Sequence, residues 1–165
     1  MSLIAFSGKA GSGKDTAAQL LQYIDLKVKY PNIWGEKDFK YFLSKEHSWV
    51  SDFEIHKFAF EVKLFISRIT GCTLEQLEDQ DFKKSKLPPI WDYLDKLPFD
   101  NDQGKLVSMT VRDMLIRVGN GMREVVHEDI WVNALLTKYK AGTNYPDWVI
   151  SDLRYVNEKN RIEYL

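Results

Sequence analysis

The sequence predicts an α/β fold around a central parallel sheet, and three observations predict it. Leu3-Ile4-Ala5-Phe6 and Trp148-Val149-Ile150-Ser151 are short, nearly continuous apolar runs, as strands covered on both faces require. After the first run, apolar residues recur at helical spacing, at Ala17, Leu20, Leu21, Ile24 and Val28. A glycine-rich turn joins that strand directly to that helix. The 165 residues are expected to form a single domain over 1–165, long enough to bury a core.

Residues 3–7 read as a buried strand and residues 14–28 as a helix, closed by Tyr30-Pro31-Asn32. Asp38 to Leu43 suits a short helix. Ile55 to Phe60 reads as a second strand, leading into a helical face of Val62, Leu64, Phe65, Ile66 and Ile69 that Gly71 stops. Thr73 to Glu78 opens with a capping pattern. Periodicity is then lost over about 79–108, an irregular insertion holding Lys83-Lys84-Ser85-Lys86, Pro88-Pro89, Pro98 and Asn101-Asp102-Gln103-Gly104. Such a stretch is either a basic loop that closes over phosphates or a solvated excursion. Thr110 is the expected cap of a helix with Met114, Leu115 and Val118 on its buried side, ended by Gly119-Asn120-Gly121. Asp129 begins a helix running to about Tyr139. Trp148 to Ser151 is a third strand that runs into Asp152-Leu153-Arg154, and Val156 to Leu165 is a helix. Three strands are few for a doubly wound sheet. Either one is hidden in the ambiguous stretches or the last strand is missing with residues beyond the C-terminus.

Composition narrows the function. Hydrophobic residues at 44% and aromatics at 13% mark a folded globular chain. A formal net charge of -1 supplies no bulk attraction to nucleic acid or anionic membrane. No apolar run approaches a membrane span or a signal peptide, so the expected compartment is the cytoplasm. Neither nucleic acid nor membrane is an expected partner. The lone Cys72 allows no intramolecular disulfide, and His47, His56 and His127 are too scattered for a metal motif.

The chemistry is carried by Gly8-Lys9-Ala10-Gly11-Ser12-Gly13-Lys14-Asp15-Thr16. Gly-x4-Gly-Lys between a strand and a helix is the phosphate-binding P-loop pattern. Its glycines let successive N–H groups converge on an anion, and the helix N-terminus adds donors and partial positive charge. Lys14 supplies a cation for the β- and γ-phosphates of a nucleotide. Asp15 stands where Ser or Thr usually ligates Mg²⁺. It approaches the metal directly or through water, or it merely favours the helix dipole. Thr16 is placed to reach the α- or β-phosphate. Asp152, at a strand end, is where a metal- or substrate-directing carboxylate belongs, or it caps the following turn. Lys63, read from the residues alone, is an ordinary solvated helix lysine. Arg112, Arg117 and Arg123 suit phosphate oxygens, as they would a charged helix face.

Together these motifs resemble the deoxynucleoside monophosphate kinases of tailed phages, a branch of the P-loop kinases. The resemblance covers Gly8–Thr16, Lys57-Phe58-Ala59 through Lys63, Thr70-Gly71, Thr110-Val111-Arg112 with Leu115 and Gly119, Arg123, Asp129–Val132, and Val149–Arg154 with Asn157-Glu158. It implies a three-layer P-loop NTPase fold, nucleoside monophosphate kinase-like. It also implies transfer of the γ-phosphoryl of ATP, with Mg²⁺, to a deoxynucleoside 5′-monophosphate. In that reading Gly8 to Thr16 bind the nucleotide, and Asp15 and Asp152 direct the metal. Lys63, Arg112 and Arg123 hold the substrate phosphate or base. Lys14, Asp152 and Arg154 serve the transferring phosphoryl. The compartment would be the host cytoplasm for a phage-encoded chain, and a homodimer is compatible with the reading. Ile116 stands where the family often carries Gln, so base selectivity stays open. Two other readings remain: a kinase for another small phosphorylated acceptor, similar to phosphomevalonate kinases, or a non-catalytic nucleotide-binding module.

Overall fold

A computed structural model of the chain describes residues 2–9, 11–45, 51–95, 104–139 and 145–164. Ala10 of the glycine-rich loop, His47, Pro98 and Asn101 to Gln103 lie outside the described residues. The structure is mixed α/β and divides into two compact units, Met1–Phe58 with Trp131–Leu165, and Ala59–Ile130.

In the first unit, β1 (Leu3–Ser7) leads through the glycine-rich turn to α1 (Lys14–Lys29). Two short helices, α2 (Pro31–Trp34) and α3 (Phe39–Leu43), precede β2 (Phe53–His56). β1 and β2 are not neighbours. The slot between them is filled by β5 (Asp147–Leu153), which pairs with both in parallel, giving the order β1-β5-β2. This strand is paired at both edges, and every residue from Trp148 to Leu153 is buried, the polar Ser151 and Asp152 included. Trp148, Ile150 and Leu153 pack with Phe58 and with Val132 and Leu135 of α7 (Ile130–Leu136) in one core cluster. Ser151 meets α1 instead, donating its hydroxyl to Asp15. A second cluster of Tyr23, Leu26, Trp34 and Phe42 holds α1 to α2 and α3. Asp25 accepts the Ser51 hydroxyl and the Asp52 N–H at 2.8 Å each, fastening α1 to the entry of β2. After β5 comes α8 (Val156–Glu163). All three strands therefore point their C-terminal ends toward the start of α1, the edge where open α/β sheets hold ligands.

The second unit takes up α4 (Phe58–Thr70) from Ala59 onward and continues with α5 (Leu74–Glu78), turns of 3₁₀ helix at Phe82–Lys84 and Pro89–Trp91, and α6 (Val111–Val125). Gly71, at φ 77°, ends α4 as expected. Thr73 forms the expected capping box of α5, and Thr110, the expected N-cap of α6, forms one with Asp113. Buried Leu87 donates its N–H to the Met109 carbonyl at 2.8 Å, tying the irregular stretch to the start of α6.

Four expectations are corrected. Phe58 to Phe60 are helical, because the Asp152 side chain accepts the Phe58 N–H at 2.8 Å and starts α4 there. α6 runs through Gly119-Asn120-Gly121 to Val125. Neither glycine there has positive φ. A Cβ on Gly119 would lie 3.9 Å from Val62 Cγ1, so that glycine permits close packing on α4 and does not end a helix. The insertion holds an antiparallel hairpin, β3 (Tyr93–Asp95) with β4 (Lys105–Val107), over which Arg117 stacks on the Tyr93 ring at 3.7 Å. The helix after Asp129 stops at Leu136, short of Tyr139.

Candidate functional site

The glycine-rich loop leaves β1 after Ser7. Gly11 and Gly13 adopt φ 76° and 79°, a region that L side chains occupy only with strain. A Cβ on Gly8 would fall 2.7 Å from Ser12 Oγ. The Ser12 hydroxyl would have to turn away to make room for it. Gly13 stands at the N-cap of α1 and, having no side chain, offers no cap. The first helical bond is Ala17 N–H to the Gly13 carbonyl at 2.8 Å. The N–H groups of Lys14, Asp15 and Thr16 precede it and open toward the loop. Lys14 Nζ donates to the carbonyls of Gly8 and Lys9, both at 2.7 Å, so the ammonium lies across the loop mouth. A cation and a helix terminus without a side-chain cap, converging on a cradle lined by backbone, suit an anion such as a phosphate group.

Asp15 faces the sheet. Its Oδ1 accepts the Ser151 hydroxyl at 2.6 Å and the Lys57 ammonium at 2.9 Å. Burial alone would raise the Asp15 carboxyl. The hydrogen bonds from Ser151 and Lys57, with the charges of Lys57 and Lys14, hold it below the ordinary carboxylate value. Asp152 lies inside β5, with Oδ1 committed to the start of α4. Among the described residues no three His, Cys, Asp or Glu side chains form a metal cluster. A divalent ion at this edge would be held by few protein carboxylates, as Mg²⁺ commonly is.

Arg154 opens the turn between β5 and α8. Among the described residues its guanidinium has no partner, while its N–H and that of Tyr155 are accepted by Glu158 Oε2 at 2.7 and 3.0 Å. Glu158 is 1% exposed. It fixes the backbone that carries Arg154 and leaves the guanidinium free to reach.

In the second unit Lys63 is not a solvated helix lysine. It is 8% exposed and ion-paired with Glu78. Lys83 donates to the Glu78 carbonyl at 3.1 Å, and Arg112 donates to Gln80 Oε1 at 3.3 Å. Burial, followed by the charges of Lys63 and Arg112, pulls the Lys83 ammonium below its ordinary value, against Glu78 and Asp79. Three cations thus crowd one region of this unit. Arg123 lies in the last turn of α6, roughly 16 Å along the axis from Arg112 and on the same face.

No family model, curated protein or solved structure matches this chain. No helix among the described residues is long and apolar enough to cross a membrane.

The structure brings Lys14, Asp15, Asp152 and the glycines together at one sheet edge in the first unit, and Lys63 and Arg112 together in the second. Sequence reasoning missed Lys57, Ser151 and Glu78 as members of these groups, and placed Lys83 only in a basic stretch that closes over phosphates or is solvated. Ser151 had a usable signal, since it ends the apolar run from Trp148, whereas Lys57 lay inside the strand read over Ile55 to Phe60. Glu78 had none, because its place beside Lys63 is set by α5.

Proposed function

We propose that Gly8 to Thr16 form the P-loop of a three-layer P-loop NTPase fold, nucleoside monophosphate kinase-like. The chain would transfer the γ-phosphoryl of ATP to a deoxynucleoside 5′-monophosphate. The observation that carries this reading is the Lys14 ammonium lying across a glycine cradle at the uncapped start of α1. Lys63, Arg112 and Arg123 are assigned to the acceptor phosphate or base, joined by Lys83 on the strength of the basic cluster. Mg²⁺, when bound, offsets phosphate charge, and Asp15 and Asp152 are the carboxylates assigned to it.

The chemistry asked of the protein is positioning and charge stabilisation. An acceptor phosphate oxygen forms a bond to the γ-phosphorus as the bond to ADP breaks. That oxygen is already ionised at neutral pH, so no general base is required. Lys14, with its loop N–H groups, holds the donor phosphates, and Arg154 is assigned to the transferring group. The test is a coupled ADP-release assay with Mg²⁺-ATP against dTMP, dGMP, dCMP, dAMP and phosphomevalonate. Turnover with a deoxynucleotide, reduced at least about 10²-fold by Lys14→Ala, supports the reading. Turnover with phosphomevalonate alone moves the acceptor to another class. ATP binding without turnover on any acceptor leaves a non-catalytic nucleotide-binding module in its place.

A further inference from the structure

We propose that Lys57 is a second phosphate-directed cation beside Lys14. Asp15 holds it in the nucleotide-free protein, and it is released when that carboxylate is given over to a divalent cation. The proposal rests on the nucleotide-binding reading above and names a residue that reading does not use.

Lys57 is the first residue beyond β2, and Ser151 lies near the end of β5. His56 pairs with Ile150 in the sheet register, so Lys57 and Ser151 are brought side by side at the same edge as the glycine-rich loop. Both donate to one oxygen of Asp15, at 2.9 and 2.6 Å. Among the described residues the other oxygen, Oδ2, accepts nothing, and the Asp15 side chain is 63% exposed. The carboxylate is therefore half engaged: Ser151 fixes its direction, and one oxygen remains open to a metal or its water.

Among the described residues Lys57 has Asp15 as its only charged partner. An ammonium carries three donors, so this one has capacity left. Lys14 and Lys57 outnumber Asp15 beside the loop, and Lys9 adds a further positive charge on it. A divalent cation shared with Asp15 would repel the adjacent ammonium. The flexible four-carbon stem of Lys57 then carries that charge to the nearest surplus of negative charge, the nucleotide phosphates. A merely structural ion pair between the end of β2 and the start of α1 predicts none of the coupling described next.

The experiment titrates ATP into wild type, Asp15→Asn, Lys57→Met and the double variant, once in EDTA and once in Mg²⁺. Lys57→Met keeps the apolar stem, and thermal melts check that each variant is folded. In EDTA, Asp15→Asn is expected to bind ATP about tenfold more tightly than wild type, equivalent to about 1.4 kcal/mol. That gain should disappear in the double variant, because the freed Lys57 supplies it. In Mg²⁺, Lys57→Met should bind about tenfold more weakly than wild type. A gain that survives in the double variant overturns the proposal, since it would come from removing the Asp15 charge alone. Wild-type affinity for Mg²⁺-ATP in Lys57→Met overturns it as well, while leaving the nucleotide reading intact. A wild-type protein that binds no ATP in either buffer sinks both.

Discussion

Glu158→Ala tests how the Arg154 turn is held. Glu158 is 1% exposed, and one of its oxygens accepts two backbone N–H groups, from Arg154 at 2.7 Å and Tyr155 at 3.0 Å. Hydrogen bonds to a charged acceptor contribute about 1.5–3 kcal/mol each. Arg154 and Tyr155 are exposed residues, so water recovers part of that loss and the pair together is worth about 2 kcal/mol. Removing the buried stem adds about 1 kcal/mol. The expected loss is therefore about 3 kcal/mol. With a urea slope of about 2 kcal/mol/M, the unfolding midpoint falls by about 1.5 M. Glu158→Gln keeps the stem and one acceptor oxygen and should lose about 1 kcal/mol. Arg154→Ala, by contrast, removes a guanidinium without a partner among the described residues and should leave the midpoint near wild type while lowering phosphoryl transfer. A Glu158→Ala midpoint within about 0.3 M of wild type, or a Gln variant as damaged as Ala, would refute the reasoning.

Two further outcomes follow from the second unit. The hydrogen bonds from the Thr110 side chain and backbone hold Asp113 below its ordinary carboxylate value of 3.8, against burial and with help from Arg117. A carboxyl whose folded value lies below its unfolded one contributes fully above the unfolded value, and its contribution fades as pH falls through the folded one. Asp113→Asn should therefore flatten the acid side of a plot of urea midpoint against pH, and an unchanged acid limb would count against the assignment. Lys83→Ala removes one of three crowded cations and should raise the acceptor KM about tenfold with kcat little changed, the mark of uniform binding. A fall in kcat at constant KM would instead place Lys83 at the transferring group.

The sequence by itself determined the local elements that need only local chemistry. The capping box at Thr73, the N-cap at Thr110 and the Gly71 stop are satisfied within a few residues of themselves, so they read correctly. The apolar run at Trp148 announced a buried strand, because burial leaves its mark on Trp148, Val149 and Ile150 in succession. The glycine spacing from Gly8 to Gly13 was legible for the same reason: the backbone conformation demands those residues in place.

Only the tertiary structure decided the rest. Phe58-Ala59-Phe60 looks like a strand, and a cap from Asp152, 94 residues away in sequence, makes it helical. The insertion of β5 between β1 and β2 follows from pairing that no local pattern encodes, and it carries Ser151 and Lys57 onto Asp15. Lys63 reads as a surface lysine on helical periodicity alone, and the Glu78 carboxylate makes its burial tolerable. Gly119 reads as a helix end until Val62 is seen opposite it. In each case the deciding partner is distant along the chain. Proline aside, a residue's own propensity is worth at most about 1 kcal/mol, and a buried charge or unpaired backbone group outweighs it.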